Sequence, residues 1–174
     1  MKKFALIAIS LFVSIICVSQ LDYSGWQEIE SEKYQIKCPP NWKVDIMGDM
    51  GITMMAASPL KGDGDRFKEN FGVLVKDHSK GPINLQEFAT EQVSEIKNGM
   101  DNTTFLGSQH LSKNDKDMYR ITYVRNQNGM ELLYDSRIMI VDDFSYMLIF
   151  TMERSKFSEY KNVVNQIVES LEVN

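Results

Sequence analysis

Histidine, cysteine, proline and basic charge are all scarce in this chain of 174 residues. Its two histidines, His78 and His110, lie far apart, and neither has a second ligand at metal spacing. A zinc site draws three or four Cys, His or carboxylate ligands together, so no zinc motif is written here. Both histidines are expected as solvated turn residues. The two cysteines are Cys17 and Cys38. If the N-terminal segment is removed only Cys38 is left, which excludes an internal disulfide. Cys38 is expected as a small apolar residue at a strand end, the alternative being a reactive thiol or an intermolecular link. Acidic residues outnumber basic ones by 24 to 19, which gives no electrostatic reason to bind nucleic acid or an anionic membrane.

Catalytic signatures are missing as well. There is no G-x-S-x-G elbow, no G-x-x-x-x-G-K-[ST] and no G-x-G-x-x-G, and Cys38 has no general base near it in sequence. Asp142-Asp143 could exchange protons in principle, but at a hairpin tip they read as turn formers. Asp63, Asp65 and Glu69 in GDGDRFKEN form only a fragment of a calcium loop, which needs oxygen ligands at alternate positions over about twelve residues. A glycine-rich acidic surface loop is the expectation. Of the eleven methionines, Met47, Met50, Met54 and Met55 cluster, and core filling accounts for them better than copper binding. Asn102-Thr103-Thr104 matches a glycosylation sequon. No catalytic, cofactor-binding or metal residue is assigned from the sequence, and no cofactor is expected.

What is present begins with an export signal. Lys2 and Lys3 precede an apolar run from Phe4 to Val18, broken only by Ser10 and Ser14. This has the layout of a secretory signal and is short for a membrane span of about 20 residues. Cys17 and Ser19 are small at the −3 and −1 positions, which places cleavage before Gln20. Residues 1–19 are thus read as a signal peptide, and residues 20–174 as one domain, secreted or periplasmic. Two other readings stand beside it: an uncleaved anchor, and a lipid anchor on Cys17, against which Ile16 holds a position usually small. Losing Lys2 and Lys3 takes the net charge from −5 to −7.

The domain is punctuated as α+β. Trp26–Ile29 and Tyr34–Lys37 are short strand-like runs. Cys38-Pro39-Pro40-Asn41 then forms a rigid extended corner, because proline gives no N–H to a ladder and restricts the residue before it. Trp42 follows at once and is expected to turn back onto the sheet and plug the end of the core. Ile52–Ala57 and Phe71–Val75 are strands on either side of a loop, Ser58–Asp65. Asn84–Asn98 has helical periodicity in Leu85, Phe88, Ala89, Val93 and Ile96, with Asn84 as N-cap, Glu87 at N3 and Gly99 as C′ residue. Four strands follow: Thr103–Leu111, Met118–Arg125, Met130–Val141 and Phe144–Met152, with Asn128-Gly129 a hairpin signal. The last is apolar on both faces, which places it at the sheet centre. Ser155–Leu171 is a closing helix with Ser155 as N-cap. Tyr119, Tyr123, Tyr134, Tyr146 and Tyr160 are divided between core and a possible open binding face. Two amphipathic helices with runs of strands indicate helices packed on an antiparallel sheet.

The order of these elements, with Tyr34-Gln35-Ile36-Lys37-Cys38-Pro39-Pro40-Asn41-Trp42, Asp65-Arg66-Phe67-Lys68-Glu69-Asn70-Phe71, Leu85-Gln86-Glu87-Phe88-Ala89 and the closing Glu169-Ser170-Leu171, resembles the PsbP-like family. That family takes in the extrinsic photosystem II subunit PsbP and many small exported bacterial proteins. The resemblance spans most of residues 26–173 and implies an α/β/α sandwich around an antiparallel sheet. It implies no enzyme: members act as assembly or stabilising factors or bind partner proteins, and many have no assigned role. The partner expected for this chain is a protein of the cell envelope. No functional residue of the family maps onto this chain. The alternative is an enzyme with a non-motif active site on the sheet face, signalled by a deep pocket with a clustered acid, base or thiol; a shallow face would favour binding.

Overall fold

The computed structural model describes residues 21–46, 51–113 and 116–174. The signal segment 1–19, cleavage before Gln20, a lipid on Cys17, and Met47 and Met50 all lie outside the described residues. The elements in chain order are β1 (Gln27–Glu30), β2 (Tyr34–Cys38), β3 (Lys43–Ile46), β4 (Ile52–Ala57), β5 (Asn70–Asp77), α1 (Leu85–Gly99), β6 (Thr103–Lys113), β7 (Lys116–Gln127), β8 (Met130–Val141), β9 (Phe144–Glu153), α2 (Phe157–Ser170) and β10 (Glu172–Val173).

Seven strands form an antiparallel sheet in the order β3-β4-β5-β9-β8-β7-β6. β9 is its middle strand, as its two apolar faces predict. β6 to β9 is a meander of consecutive antiparallel pairs. Its turns follow the sequence signals: Asn128 and Gly129 both take positive φ, at 52° and 76°, and Asp142 takes φ 53°. Such a pair of left-handed residues matches the twist of the flanking strands.

The sheet is covered on both sides. On one face lies α1, which packs Ile96 with Phe88 and Val93 over Ile121, Tyr123 and Ile138. On the other lies α2, whose buried Tyr160, Val164, Ile167 and Val168 share the main core with Phe71, Leu148 and Phe150. This is an α+β fold with the expected helix-sheet-helix layering. Beside α2 stands an element the sequence reading lacks, a second antiparallel sheet in the order β1-β2-β10. A two-residue strand such as β10, Glu172↔Gln35 and Val173↔Tyr34, carries no periodicity of its own.

That second sheet changes the meaning of the proline corner. The chain does not turn back onto the sheet it has left. It crosses from β2 of the small sheet to β3 at the edge of the large one. The Trp42 N–H donates to the Pro39 carbonyl at 3.2 Å and closes the turn. The Gln27 side-chain amide donates to the Pro39 and Trp42 carbonyls, both at 2.8 Å. Trp42 does fill the core behind the corner. It is 7 % exposed, its ring 6.0 Å from Phe71 and 6.2 Å from Tyr160 of α2.

Two local expectations need correction. Gly99 is the last residue of α1 rather than a left-handed C′ residue, and the cap is Met100 in extended conformation. The left-handed residue of this connection is Asn102, φ 55°, whose carbonyl accepts from the Asn126 N–H at 3.1 Å. At the N-terminus Asn84 caps as expected, accepting from Gln86 and Glu87 N–H at 2.9 and 3.2 Å. Ser155 does not cap α2. It lies in a 3-10 turn, Arg154–Lys156, and the N-cap position is Lys156 with no side-chain cap bond.

Lys156 lies at that start, and it adds an anchor to the acidic surface loop GDGDRFKEN, most of which is exposed. Its ammonium lies 2.7 Å from Asp65, 3.2 Å from Glu69 and 3.7 Å from Glu153. The loop is thereby pinned to the head of α2, with Glu69 only 1 % exposed. Asp63 stays exposed. The hydrogen bond from Lys156, with the Lys61 N–H, lowers the Asp65 carboxyl to about 2. Burial works against charge on Lys156, but its bonds to Asp65 and Glu69 outweigh that and hold it above the usual lysine range. A carboxyl depressed on folding contributes stability above its unfolded value, and that stability is lost as pH falls through the folded value. Acid unfolding of the wild type should therefore include a component between pH 4 and about 2. Lys156→Met should shrink that component, since the Lys61 N–H still bonds Asp65, and cost about 1–3 kcal/mol at pH 7, the penalty for leaving the buried Glu69 carboxylate unpaired. Denaturant melts across this pH range check both; an unchanged acid limb would refute the assignment.

Candidate binding cleft

β8 contains the alternation Leu133, Asp135, Arg137, Met139. A strand repeats its facing every second residue, so these four side chains share one face. Leu133 and Met139 belong to the main core under α2, and Asp135 and Arg137 therefore lie on the same side. Asp135 is 0 % exposed and Arg137 6 %. On β7, Arg120 stands directly opposite Arg137 in the ladder. Two facing guanidiniums repel, and Asp135 reconciles them. Arg120 reaches it with Nε at 3.1 Å from Oδ1 and Nη2 at 2.7 Å from Oδ2, the two-pronged geometry that suits arginine and carboxylate. Arg137 makes one contact, Nη2 to Oδ2 at 3.2 Å. Arg137 Nη1 is buried and has no hydrogen-bond partner among the described residues. Burial lowers the Arg137 guanidinium to about 10, against the pull of Asp135, so it stays charged at neutral pH.

Arg137 forms part of the wall of a cleft of about 370 Å³. Leu111 and Ser112 of β6, Met118 of β7, and Asn165, Val168 and Glu169 of α2 complete it. The three α2 residues lie three and four apart, so they share one helix face. The site is thus a slot between the outer strands of the large sheet and the C-terminal half of α2, apolar on Leu111, Met118 and Val168. A neighbouring cleft of about 360 Å³ runs past Met139, Val141 and Leu171, where Lys116 donates to the Leu171 carbonyl at 2.6 Å.

On the α1 face a smaller cleft, about 270 Å³, gathers Lys76, His78, Glu87 and Glu91. His78 is no solvated turn residue. Its Nε2 lies 3.0 Å from Ser145 Oγ and its ring meets Phe88 edge-on at 5.5 Å. A His–Ser pair evokes nucleophilic catalysis, but Ser145 is 3 % exposed and is not among the residues lining this cleft. The pair ties α1's underside to β9.

No family profile and no curated protein matches the chain. Solved structures do. Cyanobacterial PsbP from Synechocystis superposes with a TM-score of 0.63 at 11% identity, over 87% of this chain and 94% of its own. The fold is that of PsbP. LpqN of Mycobacterium tuberculosis, described as involved in cell envelope biogenesis, gives 0.65 at 10% identity, over 86% and 90%. The yeast Ran-binding protein Mog1p from Saccharomyces cerevisiae gives 0.58 at 10%, over 85% and 95%.

Within this PsbP-like fold the quoted motif residues have structural places. Tyr34, Ile36, Cys38 and Trp42 fill the main core, as does Leu171. Cys38 is fully buried and burial raises its thiol to about 11, which makes it a poor nucleophile at neutral pH. His110 lies in β6, not in a turn, exposed, its ring tilted 38° against that of Tyr119 at 5.4 Å. Met54 is core, and Met55 next to it is half-buried. Among the described residues no three His, Cys, Asp or Glu side chains are placed to hold a metal. Nor is any helix of the described residues long and apolar enough to cross a membrane. Asp142 and Asp143 form the β8–β9 turn. Tyr123 and Tyr134 stack at 4.8 Å under α1, and Tyr119 donates to the Gln86 side chain. Tyr146 and Tyr160 are core. The tyrosines therefore make no open aromatic face.

Asp135, Arg137 and Arg120 belong to no sequence motif. The signal was available in the period of β8: two charges in phase with Leu133 and Met139, in a strand facing a helix.

Proposed function

We propose that this protein is an exported, non-enzymatic binding or assembly factor that engages its partner in the cell envelope through the cleft between α2 and β6–β8. The observation that carries the reading is a slot with apolar walls and a buried, incompletely partnered guanidinium in it. Ligand sites are commonly concave and mostly apolar with a few convergent polar groups. The basic start and short apolar run support export. The recurrence of this fold in a protein of cell envelope biogenesis and in a Ran-binding protein supports a binding role by analogy of fold, which does not by itself transmit function.

The test is capture from the native envelope fraction with tagged protein. Asn165→Trp, on the exposed side of α2, fills the slot. Glu91→Trp adds the same bulk on α1, across the sheet. The wild type and Glu91→Trp should retain the same partner and Asn165→Trp should lose at least tenfold. Equal capture by all three would remove the cleft from the function. The mass of the mature chain, expected to begin at Gln20, checks export in the same preparation; a lipidated Cys17 would replace a soluble factor by an anchored one.

A further inference from the structure

Resting on the cleft reading above, we propose that the slot binds a small organic carboxylate with an apolar body, its carboxylate received by Arg137. Three observations converge. Two guanidiniums, Arg120 and Arg137, share the single carboxylate of Asp135, and Arg120 takes it in the two-pronged mode. Arg137 is left with one contact and with Nη1 unpartnered. A buried donor without an acceptor is costly, and native structures carry few of them. Arg137 also lines the cleft, so a small rotation of its side chain would bring the buried Nη1 to an acceptor held there.

The rest of the wall defines the body of the ligand. Leu111, Met118 and Val168 offer apolar surface, and Met118 is unbranched and adapts its rotamer readily. Ser112 and Asn165 supply neutral hydrogen-bonding groups. Glu169, on the helix wall, carries negative charge. The ligand's carboxylate goes to the strand floor at Arg137 and its apolar body runs along the helix. A free carboxylic acid and the C-terminal carboxylate of a peptide with an apolar last residue share this chemistry.

Calorimetric titration of the full protein separates them. The probes are 4-phenylbutyrate and its amide, and the tripeptide Ala-Ala-Leu as free acid and as amide. At least one acid should bind the wild type ten times or more tightly than its amide. Whichever acid binds the tighter identifies the source, and either supports the assignment. Arg137→Met leaves Arg120 and Asp135 as a balanced pair. It should fold and bring the acid-to-amide ratio to about one. Asn165→Trp, which keeps Arg137, should weaken acid and amide alike. Equal affinity of acid and amide for the wild type, or no binding of either acid, overturns the ligand class. In that case the capture experiment still decides separately whether the cleft meets a partner. A preference for acid that persists in Arg137→Met overturns the role of Arg137.

Discussion

Trp42→Ala should cost about 3–5 kcal/mol, the usual range for removing a large buried aromatic. That is a large share of the roughly 5–15 kcal/mol that holds a domain together. The indole is the meeting point of three layers. It follows the Pro39-Pro40 corner that leaves the small sheet, touches Phe71 on the large sheet, and meets Tyr160 on α2. Phe71 is itself stacked on Phe150 at 5.4 Å, so the cavity would open in a chain of rings that has no spare side chain to collapse into it. Urea unfolding should show a lower midpoint at unchanged slope. The other tryptophan, Trp26, is half-buried and edge-on to Tyr23. Wild-type emission should therefore exceed that of Trp42→Ala by a blue-shifted component poorly quenched by iodide. If the variant melts like the wild type and only binding falls, the corner presents Trp42 to a partner and the plug reading fails.

Asp135→Ala should be comparably severe, about 3–5 kcal/mol, because it strands charge in the interior. Arg137 would lose its single contact while remaining buried. Arg120 would suffer less, since 29% of its side chain is exposed and water can take over. Adding Arg137→Met to Asp135→Ala should recover most of the loss, because the remaining guanidinium reaches solvent. Such non-additivity is expected of residues within one network. Equilibrium unfolding of the two single variants and the double variant measures it. Additive losses would mean that Asp135 does not hold Arg137 by charge.

The parts of the fold legible in the sequence are those with a local cause. The periodicity of Leu85, Phe88 and Ile96 and the Asn84 cap define α1; Asn128-Gly129 and Asp142-Asp143 define two hairpin turns; the double apolar face of Phe144–Glu153 places β9 at the centre. The element order also led to the PsbP-like resemblance, and the shared fold bears it out. The parts that were not legible depend on distant residues. β10 is two residues long and exists because β2 offers it an edge. The Asp65–Glu69–Lys156 cluster joins residues about ninety positions apart, so by its local residues the loop is merely acidic and Ser155 is the natural cap of α2. The cleft has the same character. Leu111, Arg137 and Val168 come from three elements, and no spacing rule connects them. Only the in-phase charges of β8 announced half of it.

The pairing of Val173 with Tyr34 has a consequence for how the molecule is put together. It is reinforced by Asn174, whose N–H and side-chain amide donate to the carbonyls of Lys33 and Ser31, each at 3.1 Å. These are contacts between residues up to 143 positions apart, the kind that form late because a large loop must close first. The meander β6–β9 needs no such closure. The small sheet is then a latch rather than a foundation: until residues 172–174 have been synthesised, β2 keeps a bare edge, open to pairing with another chain. A product clipped before Glu172 would retain its seven-stranded sheet and become sticky along Tyr34 and Gln35.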